Sequence, residues 1–239
     1  MLRPRRVAVF PATGLILLAA IFLDLPAARA APCQTDASGD LLCGEGNHAP
    51  RIIPNTMSPD KRFAFGWRQK AGKPAPENYP DPQDVENVLV RLADGAVLAS
   101  LGGKGWNLGA VHASLYESYA SWSPDSRVVV ETASDKRETY ALTYVALDGG
   151  DKAATLDLLS LVLRAATARL PKRDRDEYVM RVRYDDPATF ETGERLRIGV
   201  VFSIPARGHC TFFDVTLLMS RRDGAPAAKV VAVRRTKGK

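Results

Sequence analysis

The sequence has few of the residues that most often carry enzyme chemistry. It contains three cysteines and three histidines among 239 residues, and aromatic residues make up only 8%. The histidines, His48, His112 and His209, lack the spacing of a metal site. The G-x-S-x-G, H-E-x-x-H, Cys-x-x-Cys and P-loop motifs are absent, as is the dinucleotide-binding G-x-G-x-x-G. We therefore predict no metal, no cofactor and no catalytic residue.

Long hydrophobic runs are also scarce, and the one that stands out is at the N-terminus. Arg3, Arg5 and Arg6 precede an apolar stretch that ends near Leu25, and Ala28-Arg29-Ala30 follows. This order predicts a secretory signal peptide over residues 1–30, with cleavage before Ala31. An uncleaved anchor is the alternative, but the dense apolar core of about nine residues is shorter than the roughly 20 that a transmembrane helix needs. We therefore expect a periplasmic or secreted protein with no stable membrane span after cleavage.

The remaining composition is that of an ordinary globular protein, with 46% hydrophobic and 25% charged residues. The formal charge of the chain is +6, and removal of residues 1–30 takes away four arginines and one aspartate and leaves +3. Because this excess is small, we do not expect nucleic acid as a partner.

The three cysteines predict one disulfide and one free thiol in an oxidising compartment. Cys33 and Cys43 lie ten positions apart across a Ser-Gly-Asp turn sequence, so we expect them to pair within an N-terminal loop segment, residues 31–57. Cys210 is then the free thiol, and we expect it to be a buried structural residue. Its neighbour His209 should point to the opposite face of a strand, which argues against a Cys-His nucleophile.

Residues 58–67 and 123–132 repeat one pattern. Ser58 to Arg62 and Ser123 to Arg127 both read Ser-Pro-Asp-x-Arg, and each is followed by an apolar run. Proline presets a turn, and aspartate can accept the amide hydrogen bonds of the reversing chain. A second strand pattern and a glycine-containing turn follow each copy. The sequence therefore predicts duplicated antiparallel hairpins over residues 58–150.

These hairpins resemble the blade repeats of TolB-type periplasmic propellers, in which Trp-Ser-Pro-Asp-Gly opens a strand. Trp122 supplies the tryptophan in the second copy, Met57 replaces it in the first, and Lys61 and Ser126 replace the glycine. The resemblance implies two propeller-blade-like units. Because closed propellers need about four or more blades, two units need cover from the rest of the chain. The layout also resembles that of uncharacterised exported bacterial proteins, which implies no activity.

The last part of the chain, residues 151–239, combines one helical pattern with several strand patterns. Leucines and alanines recur at helical spacing over 155–170, which predicts a mostly buried helix that Pro171 ends. Strand patterns follow at 178–184, 195–204, 211–220 and 229–235. In the second and third of these, alternate residues from Leu196 to Ile204 and from Phe213 to Met219 are apolar, which predicts that they face the core. A helix packed on an antiparallel sheet buries both patterns. The predicted fold class is therefore mainly β, of the α+β type.

Two surfaces are candidate binding sites. Trp106, Tyr116 and Tyr119 belong to an aromatic segment, 106–122, that could form a stacking platform. The alternative is that alternate members of this segment face the core.

The second surface is a basic sheet face, formed by Arg181, Arg183, Arg195 and Arg197, which suits carboxylates or phosphates. These arginines could instead only keep a solvated sheet face soluble. Together the patterns favour an exported, non-catalytic binding or interaction module whose partner is a protein or an anionic envelope component. An envelope hydrolase with a site near segment 106–122 is the alternative.

Overall fold

The computed structural model describes residues 32–36, 39–46, 48–70, 83–104, 116–149, 152–192 and 194–237. Within these ranges the chain is mainly β, with antiparallel sheets and one α-helix, as predicted. The strands are β1 (Cys33–Thr35), β2 (Leu41–Cys43), β3 (Arg51–Ile52), β4 (Phe63–Gln69), β5 (Val85–Arg91), β6 (Ala96–Ser100), β7 (Tyr116–Trp122), β8 (Val128–Asp135), β9 (Thr139–Asp148), β10 (Lys152–Asp157), β11 (Val179–Val182), β12 (Ala188–Thr192), β13 (Arg195–Ile204), β14 (His209–Arg222) and β15 (Ala225–Thr236), and the helix is α1 (Leu159–Thr167).

The first sheet is an antiparallel meander of six strands, β1 to β6 in chain order. Its N-terminal hairpin carries the predicted disulfide, because Cys33 and Cys43 face each other across β1 and β2 and are bonded. Cys43 is buried against Val88 and Val90 of β5. The disulfide hairpin therefore covers part of the outer face of the first sheet.

The second sheet has four antiparallel strands in the order β10-β9-β8-β7. Its side chains alternate between two apolar surroundings, as expected for a strand with both faces covered. Val129 and Val145 pack with Phe63 and Phe65 of the first sheet, whereas Leu142 packs with the third sheet and α1. The second sheet is therefore the central layer of the described structure.

The third sheet has the order β11-β13-β14-β15, with β12 paired to β13. Leu196, Ile198 and Val200 of β13 face the core together with Val215 and Leu217 of β14, as their alternation predicted. β12 was not predicted, since its five residues follow the Asp-Asp-Pro turn without a long apolar run. It pairs along β13 from Ala188 to Thr192.

The helix is shorter than its sequence pattern indicates. Residues 155–157 complete β10, where Leu156 pairs with Tyr144, and α1 covers only residues 159–167. Asp157 Oδ1 accepts a hydrogen bond from the Leu159 amide at 2.8 Å, which helps to start the helix. Within α1 only Val162 and Ala166 are buried. The expectation of a mostly buried helix was wrong, because only one face of α1 packs on the core and Leu163 is 40% exposed.

Cys210 corrects a second expectation, since it is a free and exposed cysteine. On β14 the odd-numbered residues, such as Phe213 and Val215, face the core. An even-numbered residue therefore lies on the outer face, where Cys210 is accessible.

Among the helices that the structure describes, none is long and apolar enough to cross a membrane.

Candidate functional site: a groove beside the duplicated turns

The two Ser-Pro-Asp-x-Arg segments form the same turn. In the first, the Ser58 hydroxyl donates to Asp60 Oδ1 at 2.7 Å and accepts from the Phe63 amide at 3.0 Å. In the second, the Ser123 hydroxyl donates to Asp125 Oδ1 at 2.7 Å and accepts from the Val128 amide at 3.0 Å. The serine thus bridges the aspartate and the first strand residue in each copy, and each aspartate serves its own turn.

The fourth residue of each turn has the left-handed conformation. Lys61 has φ 59° and Ser126 has φ 58°, values at which glycine is the usual residue. Ser126 is buried, and its hydroxyl accepts a hydrogen bond from the Asp60 amide at 3.2 Å. The two turns therefore lie side by side, although 65 positions separate them in sequence.

A cavity of about 620 Å³ opens beside the paired turns. Three arginines from different parts of the chain line it: Arg62 and Arg127 are the last residues of the two turns, and Arg221 comes from the end of β14. Asp125, Asp148 and Tyr144 also line this space, which we name the arginine cavity. Its defining feature is that three arginines from distant parts of the chain line it.

The three arginines differ in how far they are already paired. Arg62 Nε lies 2.6 Å from Asp60 Oδ2, and Arg127 Nε lies 3.9 Å from Asp125 Oδ2. The side chains of Arg62 and Arg127 are 57% and 77% exposed, so these ion pairs contribute little to stability. No carboxylate in the described residues lies within ion-pair distance of Arg221. Guanidinium hydrogen bonds therefore remain available to an anionic ligand.

Tyr144, a buried residue of β9, also lines the arginine cavity. Burial has the largest effect and raises the pKa of its phenol. The charge of Arg221 lowers this pKa, and the charge of Asp125 raises it. The net shift is upward, so the hydroxyl stays protonated near neutral pH and can donate a hydrogen bond.

A second cavity, of about 320 Å³, adjoins the first and shares Asp125, Val128 and Tyr144 with it. Phe190 of β12, Met219 of β14 and Pro124 give it an apolar lining, so we name it the apolar cavity, and Ser123 also lines it. Three charged residues stand at its edge: Glu191, Glu194 and Arg195. The two neighbouring cavities, which we together name the turn groove, lie beside the second Ser-Pro-Asp turn.

Of the predicted arginines, Arg183 and Arg197 lie on the outer face of the third sheet within a network of carboxylates. Arg183 is 7% exposed and pairs with Asp185 at 3.1 Å, and Arg197 pairs with Asp186 at 2.7 Å. Asp214 Oδ1 lies 4.0 Å from Arg183 and 3.8 Å from Arg197. The hydrogen bond from Arg197 holds the pKa of Asp186 below its usual range. Much of the positive charge on this face is therefore balanced.

Arg181 and Tyr119 meet at the junction of the second and third sheets. The Tyr119 hydroxyl donates to Glu117 Oε2 at 2.8 Å, and Arg181 Nη2 lies 4.0 Å from the same oxygen. Burial raises the pKa of Tyr119 to about 12, and the hydrogen bond to Glu117 adds to this shift. Tyr184, 78% exposed, lies near this group.

The remaining predicted site residues are Arg195, Tyr116 and Trp106. Arg195 lies at the edge of the apolar cavity and so contributes to the turn groove. Tyr116 begins β7, but its side chain lies outside the described residues, as does Trp106 entirely. Trp122, the last aromatic residue of the segment, is partly buried: its ring stacks on Phe63 at 6.3 Å, and its Nε1 donates to the Thr56 carbonyl at 2.8 Å.

Sequence reasoning did not find the turn groove. Arg62 and Arg127 were visible as the last residues of the repeated motif, and the repeat was a signal that the fold could place them together. Arg221, Tyr144 and Phe190 carry no comparable local signal, because they reach the groove only through the packing of three sheets.

In the part of the chain that the structure describes, no group of three or more His, Cys, Asp or Glu side chains could hold a metal ion.

No protein-family model matches the chain, and a comparison with curated proteins likewise gives no match. The chemistry of the turn groove therefore has to be inferred from its own residues.

Proposed function

We propose that this protein is an exported, non-catalytic binding module of the cell envelope that holds an anionic group of its partner in the arginine cavity. The observation that carries the proposal is the convergence of Arg62, Arg127 and Arg221 on one cavity of about 620 Å³. Guanidinium groups form strong, charge-assisted hydrogen bonds with carboxylates and phosphates. The protonated phenol of Tyr144 adds a further donor.

Two features support a binding role over catalysis. The carboxylate of Asp125 already accepts hydrogen bonds from the Ser123 hydroxyl and the Arg127 amide. Hydrogen bonds, that from Ser123 above all, hold the pKa of Asp125 below its usual value, so this group is a poor general base near neutral pH. The cavity thus offers donors that position an anion, with its turn carboxylate engaged in structure.

Export is supported by the three-part N-terminal sequence and by the Cys33–Cys43 disulfide. The duplicated turns are further support for a relationship to TolB-type blades, which we propose as the origin of the first two sheets. Fractionation of producing cells tests the location: the protein should be released from the periplasm or found in the medium, and its N-terminal residue should be Ala31. A cytoplasmic protein that retains Met1 would contradict this part of the proposal.

Binding is tested by titrating the purified exported protein with poly-L-glutamate and with inorganic polyphosphate. At least one should bind, and the double variant Arg127→Ala/Arg221→Ala should weaken that binding about tenfold, equivalent to ~1.4 kcal/mol. Arg164→Ala is the matched control, because Arg164 is an exposed arginine of α1 outside the groove. If neither probe binds, or if the control weakens binding as much as the double variant, the arginine cavity is not the binding site.

A further inference from the structure

The turn groove has two chemically different ends that a single ligand can occupy. The arginine cavity and the apolar cavity are neighbours, because Asp125, Val128 and Tyr144 line both of them. One end offers guanidinium groups, and the other offers the side chains of Phe190 and Met219. A ligand that fills both ends must therefore carry an anionic group close to an apolar one.

We propose that this ligand is an extended polypeptide segment of a partner protein, with acidic side chains in the arginine cavity and a large apolar side chain in the apolar cavity. This inference rests on the proposed function and specifies its ligand. In an extended chain, side chains two positions apart point the same way and lie roughly 6.6 Å apart, at ~3.3 Å per residue. Side chains on the same side of an extended segment can therefore enter two neighbouring cavities.

The volumes of the cavities favour side chains over a free ion. The apolar cavity measures about 320 Å³, which is near the lower end of ligand pockets, ~300–1,000 Å³, and suits one or two side chains. The arginine cavity, at about 620 Å³ with three arginines, is larger than a single phosphate or carboxylate group requires. A segment with more than one acidic side chain fills this volume, and its carboxylates can pair with Arg221 and with the exposed guanidinium group of Arg127.

The charges at the apolar end favour a polypeptide over an anionic lipid. Glu191 and Glu194 stand at the edge of the apolar cavity, with Arg195 beside them. Carboxylates at this edge repel an anionic membrane surface, whereas a polypeptide brings amide groups that can donate to them. Charge complementarity therefore matches a segment whose acidic residues are confined to the arginine end.

Two short, fluorescently labelled peptides test the ligand directly by anisotropy. The first carries three aspartates followed by glycine and leucine, and the second has serine in place of leucine. We expect the exported protein to bind the leucine peptide about fivefold or more tightly than the serine peptide. A third peptide, with lysines in place of the aspartates, should bind neither cavity and show no saturable signal.

Protein variants test which cavity holds the leucine of the peptide and which holds its aspartates. Phe190→Ala should abolish the preference for leucine and leave serine-peptide binding unchanged, whereas Arg127→Ala/Arg221→Ala should weaken the binding of both peptides. Val231→Ala is the matched control for loss of an apolar side chain, because Val231 is 46% exposed on β15 outside the groove. Since the leucine and serine peptides are compared on the unaltered protein, the test remains valid even if Phe190→Ala fails to fold.

The possible failures are distinguishable. If the leucine and serine peptides bind equally well and both depend on the arginines, the peptide inference is wrong and the proposed function stands. If phosphatidylglycerol vesicles bind in an Arg221-dependent manner and the peptides do not, the ligand is a lipid and the inference is likewise overturned. If no peptide, polyanion or vesicle binds in an arginine-dependent manner, the proposed function itself fails.

Discussion

Glu131 shows how one residue can organise a junction of the fold. Its side chain is fully buried, and its two carboxylate oxygens accept hydrogen bonds from the amides of Gly102 and Gly103 at 2.9 and 3.1 Å. The Asn87 side-chain amide donates to the same group at 3.3 Å. A Cβ atom on Gly103 would lie 2.4 Å from both Asn87 Nδ2 and Glu131 Oε1, so only glycine fits there. The carboxylate therefore ties the chain after β6 to the central sheet.

This buried carboxylate predicts a pH dependence of stability. Burial raises the pKa of Glu131 above its ordinary value of 4.5, against the opposing effect of its hydrogen bonds. Because the folded-state pKa is the higher one, the contribution of Glu131 is fully present below pH 4.5 and decreases as the pH rises through the folded-state pKa. In urea unfolding, the free energy of unfolding of the wild type should fall relative to that of Glu131→Gln as the pH rises through the folded-state pKa. A pH-independent difference would show that the folded-state pKa is not raised.

Asp60 predicts the opposite pH dependence. Partial burial raises its pKa, but hydrogen bonds from Ser58 and Arg62 outweigh this effect and lower it to about 2. The contribution of Asp60 is therefore present above its ordinary pKa of 3.8 and decreases as the pH falls toward 2. Near neutral pH, Asp60→Ala should reduce the free energy of unfolding by ~1 kcal/mol, the usual contribution of such a hydrogen bond. The difference should shrink in acid, and a constant difference would contradict the role of the ionised carboxylate.

At the scale of the element, the duplicated turns differ at one position in a way that can be measured. Lys61 is exposed with φ 59°, whereas Ser126 is buried with φ 58° and accepts a hydrogen bond from Asp60. Lys61→Gly should therefore increase stability by up to about 1 kcal/mol, because glycine removes the left-handed strain at some entropic cost. Ser126→Gly should gain less or lose stability. Thermal unfolding of the two glycine variants checks this prediction. An equal increase in stability in both would mean that the Ser126 hydroxyl contributes nothing to stability.

The disulfide hairpin predicts a second effect at this scale. Cys33 and Cys43 are bonded across β1 and β2, ten positions apart, and Cys43 packs on Val88 and Val90. For a loop of this length the double variant Cys33→Ala/Cys43→Ala should reduce the free energy of unfolding by roughly 2–3 kcal/mol. Cys210→Ser is the control, since Cys210 is free and exposed. An unchanged free energy of unfolding in the double variant would show that β1 and β2 do not unfold cooperatively with the rest of the first sheet.

For the whole molecule, the position of the second sheet predicts cooperative unfolding. One face shares a core with the first sheet, through Val129 and Phe65, and the other shares a core with the third sheet, through Leu142 and Ile198. Since neither core is complete without the second sheet, the chain should unfold in one transition. Far-ultraviolet circular dichroism and tryptophan fluorescence in urea should therefore give coincident curves. Two separated transitions would mean that the first two sheets and the C-terminal part are independent domains.

Sequence patterns were sufficient wherever the determining interactions were local. The serine, proline and aspartate of each repeat make the turn themselves, so Ser58 and Asp60 could be recognised with their counterparts in the second copy. Period-two alternation in β13 and β14 identified their core faces correctly, because a half-buried strand imposes that pattern on its own sequence. The spacing of Cys33 and Cys43 around a turn likewise indicated the pair that is bonded.

Tertiary structure decided what depends on contacts between distant segments. Residues 155–157 satisfy a helical pattern, yet pairing with β9 makes them part of a strand. Cys210 is exposed because the register of β14 places the even-numbered residues of this strand on the outer face. The cysteine side chain itself does not determine this register. The turn groove exists because packing of three sheets brings Arg62, Arg127 and Arg221 to one cavity. Local sequence determined the duplicated turns, the disulfide pair and the buried faces of β13 and β14, whereas long-range packing determined the turn groove, because no short segment contains all of its walls.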